Sequence, residues 1–109
     1  MNKFQYKQSI VFFSRVIKKN PDYAEAWNKR ATVYYLLGDY KNSINDINHT
    51  LILEPRHFGA MNGLGMILIK LNKYDEALIT YKEILKIIPH DKEIKNRIKD
   101  IENLRLKNI

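Results

Sequence analysis

Three histidines, a cluster of glycines and two adjacent carboxylates are the residues of this 109-residue chain best suited to chemistry. His49, His57 and His90 could ligate a metal, but none stands in an H-E-x-x-H or comparable frame. His57 and His90 flank prolines, where polar turn residues are ordinary. There is no cysteine, so disulfides and thiolate metal sites are excluded. Gly59, Gly63 and Gly65 lie close together, yet the string matches neither a Walker loop nor G-x-G-x-x-G after a strand. The glycines read either as close packing or as a floor over which a ligand backbone can pass. Asp75 and Glu76 suit the first turn of a helix, where negative charge interacts favourably with the macrodipole. Asn48-His49-Thr50 fits a glycosylation sequon but falls inside a helical pattern. No nucleophile, base and acid assemble, and the expectation is a chain without catalysis, metal or cofactor.

The residues that do recur recur at one interval. Pro21, Pro55 and Pro89 are spaced by 34, as are Tyr6, Tyr40 and Tyr74. Ser9, Ser43 and Ala77 keep the step, and so do Phe13, Ile47 and Tyr81, and Ile17, Leu51 and Leu85. Asn28, Asn62 and Asn96 keep it too.

The elements between these markers are helical. Residues 3–19 carry Tyr6, Ser9, Ile10, Phe13, Val16 and Ile17 at three- and four-residue steps, an apolar stripe that ends at Asn20-Pro21. Asp22 with Glu25 resembles a capping box for a helix running to about Leu37, where Gly38 supplies the left-handed stop and Asp39 the next cap. Residues 40–53 bury Tyr40, Ser43, Ile44, Ile47, Thr50 and Leu51. The second copy repeats the plan, with Asn72 in place of the stop glycine, and Asp91 caps a last helix that turns Ile94, Ile98, Ile101 and Leu104 inward.

A period of 34 with small, aromatic and proline positions fixed resembles the tetratricopeptide repeat (TPR), and small bacterial TPR proteins in particular. The pattern W-x2-L-G-x2-Y, A-x3-F, P stands here as Trp27-x2-Arg30-Ala31-x2-Tyr34, Ser43-x3-Ile47 and Pro55. It returns as Met61-x2-Leu64-Gly65-x2-Leu68, Ala77-x3-Tyr81 and Pro89. Arg30 is the main departure; its aliphatic stem is expected to cover the core while its guanidinium reaches water. The resemblance implies an all-α fold, a short right-handed helical-hairpin solenoid of about six antiparallel helices. It divides a single domain over 1–109 into a half repeat (1–21, second helix only), repeats at 22–55 and 56–89, and a capping helix at 90–109.

The resemblance also implies a protein- or peptide-binding scaffold whose concave groove is built from first helices. By repeat position that groove is Glu25, Asn28, Thr32, Tyr35 and Leu36, then Gly59, Asn62, Met66 and Ile69, then Glu93 and Asn96. The family's clamp for a C-terminal carboxylate is not reproduced: Asn28 and Gly63 stand where basic groups are expected, Glu93 repels a carboxylate, and only Arg97 is basic nearby. The three asparagines instead suit a ladder that grips a peptide backbone, with solvated polar positions as the other reading.

Charge narrows the partners. The net +7 is concentrated at the ends: +5 over residues 1–20, +3 from residue 92, and −1 between. Nucleic acid or another anionic partner held by these basic ends is the alternative function, ranked second because no aromatic–basic platform accompanies the lysines. Phe4, Val11 and Phe12 lie off the main stripe of the first helix. They mark either a homodimer contact or the seat of a removed preceding helix. No apolar run is long enough to span a bilayer, and no signal peptide is recognisable. The compartment is not readable, the cytoplasm being the default and another compartment open if the natural chain is longer at its N-terminus.

Overall fold

The computed structural model describes residues 2–107, and six α-helices and no strand occur among them. They are α1 (Lys3–Lys19), α2 (Ala24–Leu36), α3 (Tyr40–Leu53), α4 (Phe58–Lys70), α5 (Tyr74–Ile87) and α6 (Lys92–Lys107). They fall into two compact units, Met1–Ala60 and Met61–Ile109, with the division inside α4.

In the first unit α1 begins with a capping box. The Asn2 side chain accepts from the Gln5 N–H at 3.0 Å, and the Gln5 side chain accepts from the Asn2 N–H at 2.8 Å. The expected stripe faces α2, though only Ile17 of it is fully buried. Asp22 does not cap α2: the N-cap is Tyr23, with no side-chain hydrogen bond. The turn is held by other groups, the Tyr23 N–H donating to Asn20 O at 3.1 Å and the Trp27 indole N–H to Pro21 O at 2.9 Å.

The α2–α3 connection closes as a Schellman turn. Gly38 sits at φ 77°, its N–H donates to Tyr35 O, and the Asp39 N–H donates to Tyr34 O. The Asp39 carboxylate then caps α3 through the Asn42 N–H at 3.3 Å. Small residues bring the two helices together, with Ala31 and Ser43 almost fully buried. The Ser43 hydroxyl donates to Ala31 O at 2.7 Å, so burying it leaves no orphan.

The second unit uses the same devices. Asn72 adopts φ 59° after α4, with its N–H on Ile69 O and the Lys73 N–H on Leu68 O. The Asp91 carboxylate caps α6 through the Ile94 N–H at 2.9 Å. Ile67, Ala77, Tyr81, Ile84 and Ile101 form a core with almost no exposure. Gly65 is packed so tightly against the Tyr81 ring that an added Cβ would fall 2.5 Å from Cε2. No helix among the described residues is long and apolar enough to cross a membrane.

Candidate functional site

Helix α2 has faces of different character. Ala24 and Ala31 are buried on one flank and Ala26 and Val33 on the opposite flank, whereas Glu25, Asn28, Thr32, Tyr35 and Leu36 share the face between them and keep access to solvent. Leu36 is 52% exposed, an apolar residue beside an amide, a hydroxyl and a phenol. The Thr32 hydroxyl donates to Asn28 O at 3.1 Å, and the Tyr35 ring is tilted against Tyr40 at 5.7 Å.

Glu25 is engaged within the same unit. Its Oε2 lies 3.2 Å from His57 Nε2, while His57 Nδ1 accepts the Ala60 N–H at 3.0 Å. A ring nitrogen accepting a backbone N–H carries no proton, so the proton sits on Nε2 and is donated to Glu25. His57 thereby caps the first turn of α4. The hydrogen bond from His57 draws the Glu25 carboxyl below its ordinary value; partial burial opposes this, and the Asn28 amide and Lys29 assist it. Gly59 belongs to this corner: a Cβ there would meet Asn28 Nδ2 at 3.2 Å and His57 Cε1 at 3.3 Å. Its missing side chain is the room those two occupy, which favours close packing over an open floor.

In the second unit Asn62, Met66 and Ile69 lie half-buried on α4. The Tyr81 hydroxyl donates to Asn62 Oδ1 at 3.0 Å and receives an N–H of Arg97 at 3.3 Å. The Arg97 guanidinium also stands 5.6 Å from the Tyr81 ring centroid. Asn96 is exposed on α6, and Glu93 beside it keeps 83% of its side-chain surface, 4.0 Å from Arg97.

The arginine expected to reach water does the reverse. Arg30 Nε and Nη2 each donate to Asp46 at 2.7 Å, and Nη1 donates to Ser14 Oγ at 3.0 Å. The Asp46 side chain is only 4% exposed. The bidentate bond to Asp46 raises the Arg30 guanidinium above its ordinary value against the cost of burial. His49 lies flat on Trp27, centroids 4.0 Å apart and planes 3° from parallel. Phe4, Val11 and Phe12 are all at least half exposed. Among the described residues no cluster of three or more His, Cys, Asp or Glu side chains could hold a metal.

Comparison with known proteins places these features in a family. The family model described as anaphase-promoting complex, cyclosome, subunit 3 matches residues 2–84. A TPR repeat-containing protein of Rhizobium etli is 39% identical over 90 residues, covering 83% of this chain and 44% of the relative. Hsp70-Hsp90 organizing protein 1 of Glycine max is 30% identical over 95 residues, 87% of this chain and 17% of that protein. The chain thus spans less than half the length of these curated relatives. Among solved structures, the first TPR of Spaghetti (RPAP3), bound to the HSP90 peptide SRMEEVD, superposes with a TM-score of 0.83 at 22% identity, covering 94% of this chain and 83% of that one.

Proposed function

This chain belongs to the tetratricopeptide-repeat family represented by that matching model, and from that premise we propose that it is a non-catalytic scaffold binding an extended protein or peptide segment along its first helices. The observation that carries the reading is the accessible side of α2, where Asn28, Thr32, Tyr35 and Leu36 offer donors, acceptors and an apolar surface together. In the second unit Asn62, Met66 and Ile69 supply the corresponding chemistry from α4. Asn28 and Asn62 would hold the ligand's backbone, because a side-chain amide both donates and accepts. Asn96, at the same register, would extend the contact on α6.

The RPAP3 domain is bound to the HSP90 peptide SRMEEVD; this chain carries Asn28 and the exposed Glu93 at positions that do not favour a terminal carboxylate. A mid-chain segment suits it better. The reading is tested by selecting binders from a library of extended peptides and titrating the best one against Asn28→Ala, Asn62→Ala and the double variant. Loss of about tenfold in affinity for the double variant is expected, from two net hydrogen bonds of about 1 kcal/mol each acting with partial additivity. Unchanged affinity in a double variant of intact helicity would sink it.

A further inference from the structure

We propose that a groove between α5 and α6, on the second unit and sharing only Asn96 with the side chains above, binds an acidic peptide segment carrying an aliphatic anchor. The groove has a volume of about 380 Å³; Leu85 and Ile98 contribute its apolar surface, and Lys92, Lys95, Asn96, Lys99 and Glu102 line it as well. Three positive charges against one negative surround an apolar surface, the complement of a segment with acidic residues flanking a leucine or isoleucine.

The cations of α6 divide into two sets. Arg97 is committed to Glu93 and Tyr81, and Arg105 to Asp75 at 2.8 Å. The side chains of Lys92, Lys95 and Lys99 have neither ion pair nor hydrogen bond among the described residues. The repeat register sharpens this contrast. Lys95, Lys99 and Glu102 stand 34 residues after Met61, Gly65 and Leu68, which stand 34 after Trp27, Ala31 and Tyr34. The earlier six are buried or half-buried, whereas the last three are exposed. An end helix needs only a polar outer face. A balanced one would serve that need, and α6 instead gathers three unpaired positive charges against one negative around an apolar surface. Leu106, 68% exposed, follows Lys99 by seven residues and prolongs the same face with a second apolar contact.

The occupant is a foreign chain rather than a second copy, since this chain carries +7 overall and +5 in its first 20 residues. A peptide is favoured over nucleic acid because no aromatic ring lines the groove to stack a base, while Leu85 and Ile98 suit an aliphatic side chain.

The test uses the full chain, methyl-labelled for NMR, and a blocked peptide of alternating glutamate and leucine pairs. Leu85 and Ile98 methyl signals shift on titration, and Lys95→Glu/Lys99→Glu weakens binding about tenfold, as loss of complementary surface charge dictates. Both lysines are exposed, so the fold tolerates the change. Asn28→Ala/Asn62→Ala leaves this binding untouched, which separates it from the contact proposed above. Methyl signals that stay still overturn the proposal, as does equal binding by a glutamate peptide without leucine. Oligouridine that shifts α6 signals where the peptide does not assigns the lysines to nucleic acid and overturns it too.

Discussion

Arg30 and Asp46, sixteen residues apart on α2 and α3, close a two-pronged ion pair with both bonds at 2.7 Å, and the third guanidinium nitrogen reaches Ser14 of α1. One cation therefore ties together three helices of the first unit. The rings of Trp27 and Tyr34, 5.2 and 5.8 Å from the guanidinium carbon, wall it from solvent. Removing either partner strands a buried charge. Arg30→Ala or Asp46→Ala should each cost about 3–5 kcal/mol, whereas a paired Arg30→Leu/Asp46→Leu change should cost much less, because no charge is left unpaired. Urea denaturation of the three variants checks this, and a double variant as weak as the singles would contradict it.

Gly65 and Gly59 separate two reasons for a glycine in a helix. At Gly65 a methyl group would meet Tyr81 Cε2 at 2.5 Å and Cζ at 2.6 Å, and that ring is buried with its hydroxyl fixed by Asn62 and Arg97. Overpacking of this kind typically costs about 1–3 kcal/mol, more than the roughly 1 kcal/mol of helix propensity that alanine returns. Gly65→Ala should lower the urea midpoint. At Gly59 the nearest atom is the movable Asn28 amide at 3.2 Å, so Gly59→Ala should lie within about 1 kcal/mol of the parent.

The helices and their turns were legible because their determinants are local. The 34-residue interval, Gly38 and Asn72 as left-handed stops, and Asp39 and Asp91 as caps each act within a few residues of themselves. Arg30 and Asp46 were not legible as a pair. Each alone reads as a solvated charge, and only the packing of α2 on α3 makes them partners. Arg30, a charge where this repeat usually carries leucine, was the available signal. His57 and Asp22 fail the same way: a histidine beside a proline reads as a turn residue until the Ala60 N–H is seen to need an acceptor. Asp22 offers a cap for which backbone turns already substitute. Of the candidate site, sequence register could put Glu25, Asn28, Thr32, Tyr35 and Leu36 on one face of α2, but the engagement of Glu25 with His57 and of Asn62 with Tyr81 lies across helices and beyond its reach.

The Glu25–His57 contact gives the chain an acid-sensitive component of stability. The Glu25 carboxyl is held below its ordinary 4.5 in the folded chain, so near that pH the unfolded chain binds more protons. The stabilisation is therefore present above 4.5 and is lost as pH falls through the lower folded value. Glu25 is 44% exposed, which limits the effect to a few tenths up to about 1 kcal/mol. Glu25→Gln can still accept from His57 Nε2 but carries no charge; its stability should match the parent more closely at acid pH than at neutral pH. Denaturation midpoints of the two proteins on either side of 4.5 measure this, and a constant gap contradicts it.

Phe4, Val11 and Phe12 are 67%, 50% and 60% exposed on the side of α1 opposite the stripe that packs on α2. Their spacing sets them along one helix face, a small apolar surface of the kind that pairs with itself. Residues 1–20 carry +5, so two copies brought together through α1 repel each other. Hydrophobic attraction and charge repulsion then oppose one another, and salt decides between them because it screens charge without weakening burial. Sedimentation should find self-association that grows as salt is raised, contrary to contacts built on ion pairs. Phe12→Glu places a carboxylate on the apolar face and should abolish the growth while leaving helicity intact, since the side chain is exposed. If parent and variant sediment alike at every salt concentration, the α1 face is not a self-association surface.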